Sequence, residues 1–397
     1  MIPQTVSLVA AAWWGISLLS LVFSSLAALV FPWPRRYRHT PAALPKLTAI
    51  VPIKELDGCF EQAQSSLFSQ NYPNLEILVA SAEKQSPALN ATKSICERHP
   101  EADSRVVCSS VERAVSPKLN NLWLPIVEAR HDVILTKDSN VVLREGDVAS
   151  FARHLTDGVG LVSAVPTVTN PASFAAWVEA STINGYFARV LMLARLLGMG
   201  FGCGKIMLFR RSSIERAGGL QNLAWALGED AAMTAAVAHL GLKTVLADRV
   251  TEQPLGRRSW SEVWNRQLRW RLIWRFQAPA VFAGSLLTSA MPAAIAAALA
   301  APLLGFAPAI LAGLTLTAWL GAEVALSLAR GWPVSFWSPL AFLGREILEM
   351  LVWLRALTTS EVKWAGVVYR LGKPSAETAT PASLSPAFQR DVGAGND

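Results

Sequence analysis

Three short stretches of the chain carry side chains suited to chemistry. An apolar run, residues 132–136, ends in Lys137-Asp138-Ser139-Asn140. A carboxylate closing a strand is positioned to hold a divalent cation on a diphosphate, because Mg²⁺ and Mn²⁺ prefer hard oxygen ligands. The same residue type also closes loops as an Asx turn. Gly228-Glu229-Asp230 opens an Ala-rich stretch, residues 231–240. Acidic residues there act as helix caps and dipole partners, or as a general base that takes a proton from a hydroxyl. Residues 257–275 read RRSWSEVWNRQLRWRLIWR, with four tryptophans and six arginines. Ser259 and Glu262 fit a capping box and predict a helix start. Within that helix Arg266-x-x-Arg269-Trp270 joins forked donors that suit a leaving diphosphate to an aromatic face that suits a ring. The whole segment also fits an interfacial anchor of aromatic and basic side chains.

Other chemistries find little support. The cysteines, Cys59, Cys96, Cys108 and Cys203, show no paired spacing and read as free thiols in a reducing compartment, with neither a disulfide frame nor a zinc site. The five histidines are scattered. A net charge of +7 and a pI near 9.4 call for a basic-surface partner. The basic residues form no DNA-reading motif. They gather beside apolar segments, in Arg35-Arg36-Tyr37-Arg38 and between Arg257 and Arg275. That pattern marks a cytoplasmic side facing an anionic leaflet, so the expected partner is the lipid bilayer and not nucleic acid.

These residues must be positioned by a chain of 397 residues that is 52% hydrophobic and only 16% charged, with mean hydropathy +0.32. Residues 2–34 and 276–322 contain no charged side chain. A bilayer needs roughly 20 apolar residues per helix. Residues 1–34 are expected to form a retained transmembrane anchor, with the N-terminus outside. Residues 276–330 are expected to form two transmembrane helices broken at Pro302, Gly305 and Pro308. Residues 336–357 carry Arg345, Glu346, Glu349 and Arg355, which are costly at the bilayer centre, so an interfacial or re-entrant helix is expected there. Residues 374–397, rich in Ser, Ala, Thr, Pro and Gly, read as disordered.

The middle, residues 41–275, alternates strand-like runs (47–53, 76–80, 105–108, 132–136, 160–165) with helical patterns (58–69, 86–98, 119–129, 146–155). That order predicts an α/β domain with a mostly parallel sheet, whose ligands sit beyond the carboxyl ends of the strands. Residues 174–198 are apolar and fit a buried helix, a membrane-lying helix or a wall for a lipid acceptor, on the cytoplasmic side.

Taken together, the motifs resemble the membrane-bound inverting glycosyltransferases of family 2 and, more closely, the ceramide glucosyltransferases of family 21. Val51-Pro52-Ile53-Lys54 is similar to the family's first strand and turn, and Asn71-Tyr72-Pro73 to its tripeptide before the second strand. Ser116-Pro117-Lys118-Leu119-Asn120-Asn121-Leu122 resembles N-P-K-x-N-N-L. Asp138-Ser139, Glu229-Asp230 and Arg266 to Trp270 resemble the later members of the D, D, D, (Q/R)xxRW signature. Trp364-Ala-Gly366-Val-Val-Tyr369-Arg370-Leu371 is similar to W-x-G-x-x-Y-R-L. The first aspartate of the signature is here Glu83, one methylene longer, and Asn140 stands where D-x-D would have a second acid.

The resemblance covers about residues 41–275 and extends weakly to the tail. It implies a GT-A fold, Rossmann-like, using a UDP-sugar at the cytoplasmic face of a multi-pass bacterial-type inner membrane. It implies Asp138 on a Mg²⁺ or Mn²⁺ diphosphate, with Lys118 and Glu83 near the nucleotide. It also implies Asp230 as the base, and Arg266, Arg269 and Trp270 at the leaving diphosphate and the acceptor end. The expected reaction moves glucose or galactose to ceramide. The alternatives are N-acetylglucosamine transfer to a hopanoid or another lipid alcohol, and a non-catalytic lipid-binding protein on the same fold.

Overall fold

The computed structural model describes residues 4–32, 44–56, 58–364 and 367–371. The chain opens with a long apolar helix, α1 (Gln4–Val30), and then alternates strands and helices: β1 (Leu47–Ile53), α2 (Phe60–Phe68), β2 (Leu75–Ser81), α3 (Pro87–Arg98), β3 (Asp103–Cys108), α4 (Pro117–Glu128), β4 (Val133–Lys137), α5 (Asp147–His154) and β5 (Val159–Pro171). These are the five strands and four intervening helices that the hydrophobic pattern predicts. The chain then supplies α6 (Phe174–Ala180), a π-helical turn (Ser181–Ala188), α7 (Arg189–Leu196), β6 (Ile206–Arg210), α8 (Arg211–Arg216), α9 (Glu229–His239) and β7 (Lys243–Gly256).

Seven strands form one sheet in the order β3-β2-β1-β4-β6-β5-β7. Strands β1 to β4 pair in parallel, β6 runs antiparallel between β4 and β5, and β7 is parallel to β5. Both faces are covered, which is why the central strands read as continuous apolar runs. Along β1 the side chains alternate between two cores. Leu47, Ala49, Val51 and Ile53 face the core that includes Phe60 and Leu67 of α2, while Ile50 joins Leu122 and Trp123 of α4. The parallel strands direct their carboxyl ends to one edge, and the acidic turn after β4 lies there.

Helices α10 (Trp260–Gln277), α11 (Pro279–Gly284), α12 (Ala290–Ala300), α13 (Pro308–Arg330) and α14 (Ser338–Thr358) follow, then a small hairpin, β8 (Glu361–Trp364) and β9 (Val367–Arg370). Among the described residues two helices, Gln4–Val30 and Pro308–Arg330, are long and apolar enough to cross a membrane. A pair bent by 61°, Pro279–Thr288 with Ala290–Leu304, brings the total to three if the pair is one span. The chain turns between this pair and α13 at Gly305, whose φ of 71° is left-handed.

Residues 174–198 form the wall between the sheet and the apolar helices. Asn184 grips β5, accepting from the Val168 N–H and donating to the Val168 carbonyl, each at 2.9 Å. Three of the four charges of α14, Arg345, Glu346 and Glu349, turn inward, and Arg355 stays exposed. Arg345 pairs with Glu323 of α13 at 2.7 Å and with Glu346 at 2.5 Å, and donates to the Ser181 carbonyl at 3.2 Å. Arg271 of α10 pairs with Glu349. These side chains meet one another instead of lipid headgroups. The basic run at 35–38, the tail at 374–397, and Ala365 and Gly366 of the C-terminal motif lie outside the described residues.

Candidate active site

Lys118 is the centre of the site. Ser116 caps α4, its hydroxyl accepting from the Leu119 N–H at 3.3 Å, and Pro117 takes the first helical position, where a missing N–H is harmless. Asn120 holds the preceding loop by accepting from the Arg113 and Ala114 N–H groups at 2.9 and 2.7 Å. Asn121 donates to the Ile53 carbonyl at the end of β1, at 3.2 Å. With the helix start fixed in this way, the Lys118 Nζ reaches Asp138 Oδ1 at 2.7 Å, Glu229 Oε1 at 2.9 Å and the Gly204 carbonyl at 2.5 Å. Lys205, just ahead of β6, reaches Asp138 Oδ2 at 3.2 Å. Burial alone would raise the Asp138 carboxyl, but the two lysines outweigh it and hold the group well below the usual carboxylate range. Burial likewise works against the charge on Lys118, yet Asp138 and Glu229 keep it firmly protonated.

Asp230 faces this centre from the first turn of α9. Its Oδ2 accepts from the Gly204 N–H at 2.9 Å and its Oδ1 from the Ala231 N–H at 2.8 Å. Burial, followed by the neighbouring charge of Glu229, raises the carboxyl to about 6 against the pull of Lys118. A carboxylate of that proton affinity can accept a proton near neutral pH. The loop before β6 comes close enough only because it carries glycines. A Cβ on Gly202 would lie 2.6 Å from the Asp230 carbonyl oxygen, and one on Gly204 would lie 3.2 Å from Glu229 Oε1.

The arginines of α10 divide their tasks. Arg266 pairs with the buried Glu179 of α6, which also meets Arg258 at 3.7 Å. The clamp expected of Arg266 is thus engaged inside the protein. Arg269 lies over the Trp364 ring at 4.3 Å and, among the described residues, meets no hydrogen-bond acceptor. Burial and the charge of Arg266 push it down to about 10, so an anion there would relieve it. The face of Trp270 is taken by Phe187 of the π turn, ring centroids 5.7 Å apart, which makes it a packing residue in this structure instead of an open stacking surface. Glu83 is exposed just past β2, with its carbonyl accepting from Ser81 Oγ at 2.7 Å.

Every carboxylate here already has partners, and both oxygens of Asp138 are held, by Lys118 and Lys205. Glu229 is bound by Lys118 and Ser116, and Asp230 by two backbone N–H groups. Among the described residues no group of three or more His, Cys, Asp or Glu is set to hold a metal. A cation of the kind that binds one or two carboxylates and completes its shell with phosphate oxygens and water would have to share Asp138 with Lys118 and Lys205. Sequence reasoning did not single out Lys205, Gly204 or Glu179, and it treated Glu229 only as a neighbour of Asp230. The legible signal was Gly202-Cys203-Gly204-Lys205, a lysine delivered by two glycines.

Comparison with known proteins gives the lineage. Residues 12–376 match the family described as Glycosyl transferase family 21. Ceramide glucosyltransferase 1 of Caenorhabditis elegans is 22% identical over 229 residues, covering 57% of this chain and 49% of that protein. Ceramide glucosyltransferase 3 of the same organism is 22% identical over 339 residues, covering 83% of this chain and 73% of that protein. The chain thus spans about half the length of the first relative and about three-quarters of the second. The fold is similar to that of the mannosyltransferase PcManGT from Pyrobaculum calidifontis, solved in complex with GDP-Man and Mn²⁺, with a TM-score of 0.53, 18% identity, and coverage of 89% of this chain and 98% of that one. The mixed α/β sheet is of the GT-A type, and the chain belongs to glycosyl transferase family 21.

Proposed function

We propose that the protein is an inverting glycosyltransferase that moves a hexose, glucose or galactose, from a UDP-sugar to the hydroxyl of ceramide at the cytoplasmic face of a membrane. The observation that carries the proposal is the Asp230 carboxyl, raised to about 6 and tied through Gly204 to the lysine that grips Asp138. In this reading Asp230 removes the proton from the acceptor hydroxyl as its oxygen attacks the anomeric carbon opposite the leaving UDP. The configuration inverts in one displacement, so one base suffices and no covalent intermediate forms. Lys118, Lys205 and Arg269 meet the charge that grows on the departing diphosphate. Asp138 would hold a divalent cation, which supplies Lewis-acid neutralisation of the diphosphate when bound.

Membrane residence is supported by the two apolar helices of 27 and 23 residues. Ceramide as acceptor and glucose as sugar are supported by the names of the relatives, and a UDP-sugar as donor by the motif resemblance. The test is mass spectrometry of lipids from a sphingolipid-free host that expresses the protein and is supplied with ceramide. A hexosylceramide present with the wild type and absent with Asp230→Asn is expected. Membrane-inserted protein yielding no glycosylated ceramide would refute the acceptor. Unchanged transfer by the variant would refute the base.

A further inference from the structure

The loop between α7 and β6 has a surface that the transfer site does not use. Leu196 and Leu197 are 60% and 62% exposed, and Met199 and Phe201 are exposed beside them. Four large apolar side chains within six residues are unusual on a water-facing loop. The packing of α7 fixes the level at which they emerge. At its start Arg189 is fully buried and donates to Ser24 Oγ of α1. At its end Arg195 lies over the Phe31 ring, just past the last turn of α1, at 5.2 Å. From Ser24 to Phe31 is about 10 Å of helical rise and from Arg189 to Arg195 about 9 Å, so the two helices run side by side in the same direction. Arg330, ending α13, donates to the Phe31 carbonyl at 3.0 Å and marks the same level from a second apolar helix. The far end of the loop is pinned to α9, where the Gly202 N–H donates to Thr234 Oγ1 at 2.9 Å and the Gly204 N–H to Asp230.

We propose that residues 196–201 form a lip that dips into the bilayer at the depth where α1 and α13 end, with the lipid of that leaflet as its partner. Lipid is favoured over another occupant by continuity, because Arg195, just before the exposed leucines, packs on Phe31 and so sets them at the level where the apolar surface of α1 ends. Only Gly202 and Cys203 separate Phe201 from Gly204, so the lip brings the membrane surface to the loop that holds Asp230. A lipid hydroxyl then approaches the base without leaving the bilayer. The inference rests on the membrane residence proposed above, and its test separates the two.

The test uses nitroxide labels at Leu197→Cys, Val9→Cys and Val127→Cys, each in a Cys59→Ser, Cys96→Ser, Cys108→Ser background. Full-length protein is reconstituted in nanodiscs of phosphatidylcholine and phosphatidylglycerol. Val9 is an exposed residue of α1, and Val127 is exposed at the sheet edge opposite Asp138, where Arg211 donates to its carbonyl at 3.2 Å. Collision with dissolved oxygen should dominate for Leu197 and Val9, and collision with a water-soluble nickel chelate for Val127. A nickel-dominated Leu197 beside an oxygen-dominated Val9 overturns the lip and leaves membrane residence standing. A nickel-dominated Val9 overturns both. A Leu197 label shielded from both quenchers and dipolar-coupled to a second label assigns the surface to another copy of the chain and overturns the lip. A triple variant, Leu196→Ser, Leu197→Ser and Met199→Ser, should raise KM for the lipid acceptor by roughly tenfold or more while UDP affinity stays unchanged. An unchanged KM also counts against the lip.

Discussion

The raised proton affinity of Asp230 should give the reaction an acid limb. A base must be ionised to accept a proton, so kcat/KM should rise through about pH 6 and level off above about pH 7, where roughly nine in ten Asp230 carboxyls are ionised. An aspartate titrating at its ordinary 3.8 would leave the profile flat over that range. Burial is the first cause of the shift and the charge of Glu229 the second. Glu229→Gln removes the second cause. A like charge at close range is worth roughly one unit, or about 1.4 kcal/mol, so the limb should move down by about one unit in the variant. Stability should follow the opposite trend to activity. Folded Asp230 holds its proton more tightly than the unfolded chain does, so between about pH 4 and pH 6 the folded state binds more protons and stability falls as pH rises. The loss is at most about 3 kcal/mol. The assay is initial rates with radiolabelled UDP-sugar and nanodisc-embedded protein over about pH 4.5 to 8. A wild-type profile flat between about pH 5 and pH 7, or a limb that moves upward in Glu229→Gln, would refute the assignment.

Two further predictions follow from the buried charges. Lys118→Met leaves Asp138 and Glu229 facing each other with Lys205 as the remaining nearby lysine, and should destabilise the fold by about 3–5 kcal/mol and abolish UDP binding, read by thermal unfolding and calorimetry. Arg345→Met strips Glu323 and Glu346 of their shared partner and should lower stability in detergent by a similar amount, about 3–5 kcal/mol, while Arg355→Met, on the same helix but outside that network, should change it by under about 0.5 kcal/mol.

The strands and the site were legible in the sequence to different degrees. Strands β1, β2, β4 and β5 announce themselves as apolar runs because the sheet buries both of their faces, whereas β3, DSRVVC, is a largely exposed edge strand marked only by Val106 and Val107. Strand β7 does not, since its sequence KTVLADRVTEQPLG mixes charge and proline at the sheet edge, and its register with β5 shifts twice. Strand β6 is short and follows glycines, and its antiparallel insertion between β4 and β5 has no local sequence signal. Lys118, Asp138 and Asp230 stood out because each sits at an element boundary in a recognisable motif. Their joint geometry did not, because it depends on contacts such as Lys118 to Gly204 and Ser116 to Glu229, which are 86 and 113 residues apart. The tryptophans of α10 illustrate the remaining ambiguity. Composition alone does not say whether an aromatic face meets a ligand, and the π turn answers for Trp270 by offering Phe187.

The inward-turned charges have a practical consequence for anyone wishing to work with the catalytic half alone. Hydropathy suggests cutting after Gln277, where the charged helix ends and the uncharged run begins. Such a truncation would take Glu349 from Arg271 and would uncover Val263, Leu268 and Leu272, which pack against Leu348 and Val352 of α14. The fragment would carry an orphaned guanidinium beside a greasy scar and should aggregate when made. The two halves share one packed cluster, so a soluble version would need the α10 surface redesigned and not merely the anchors removed.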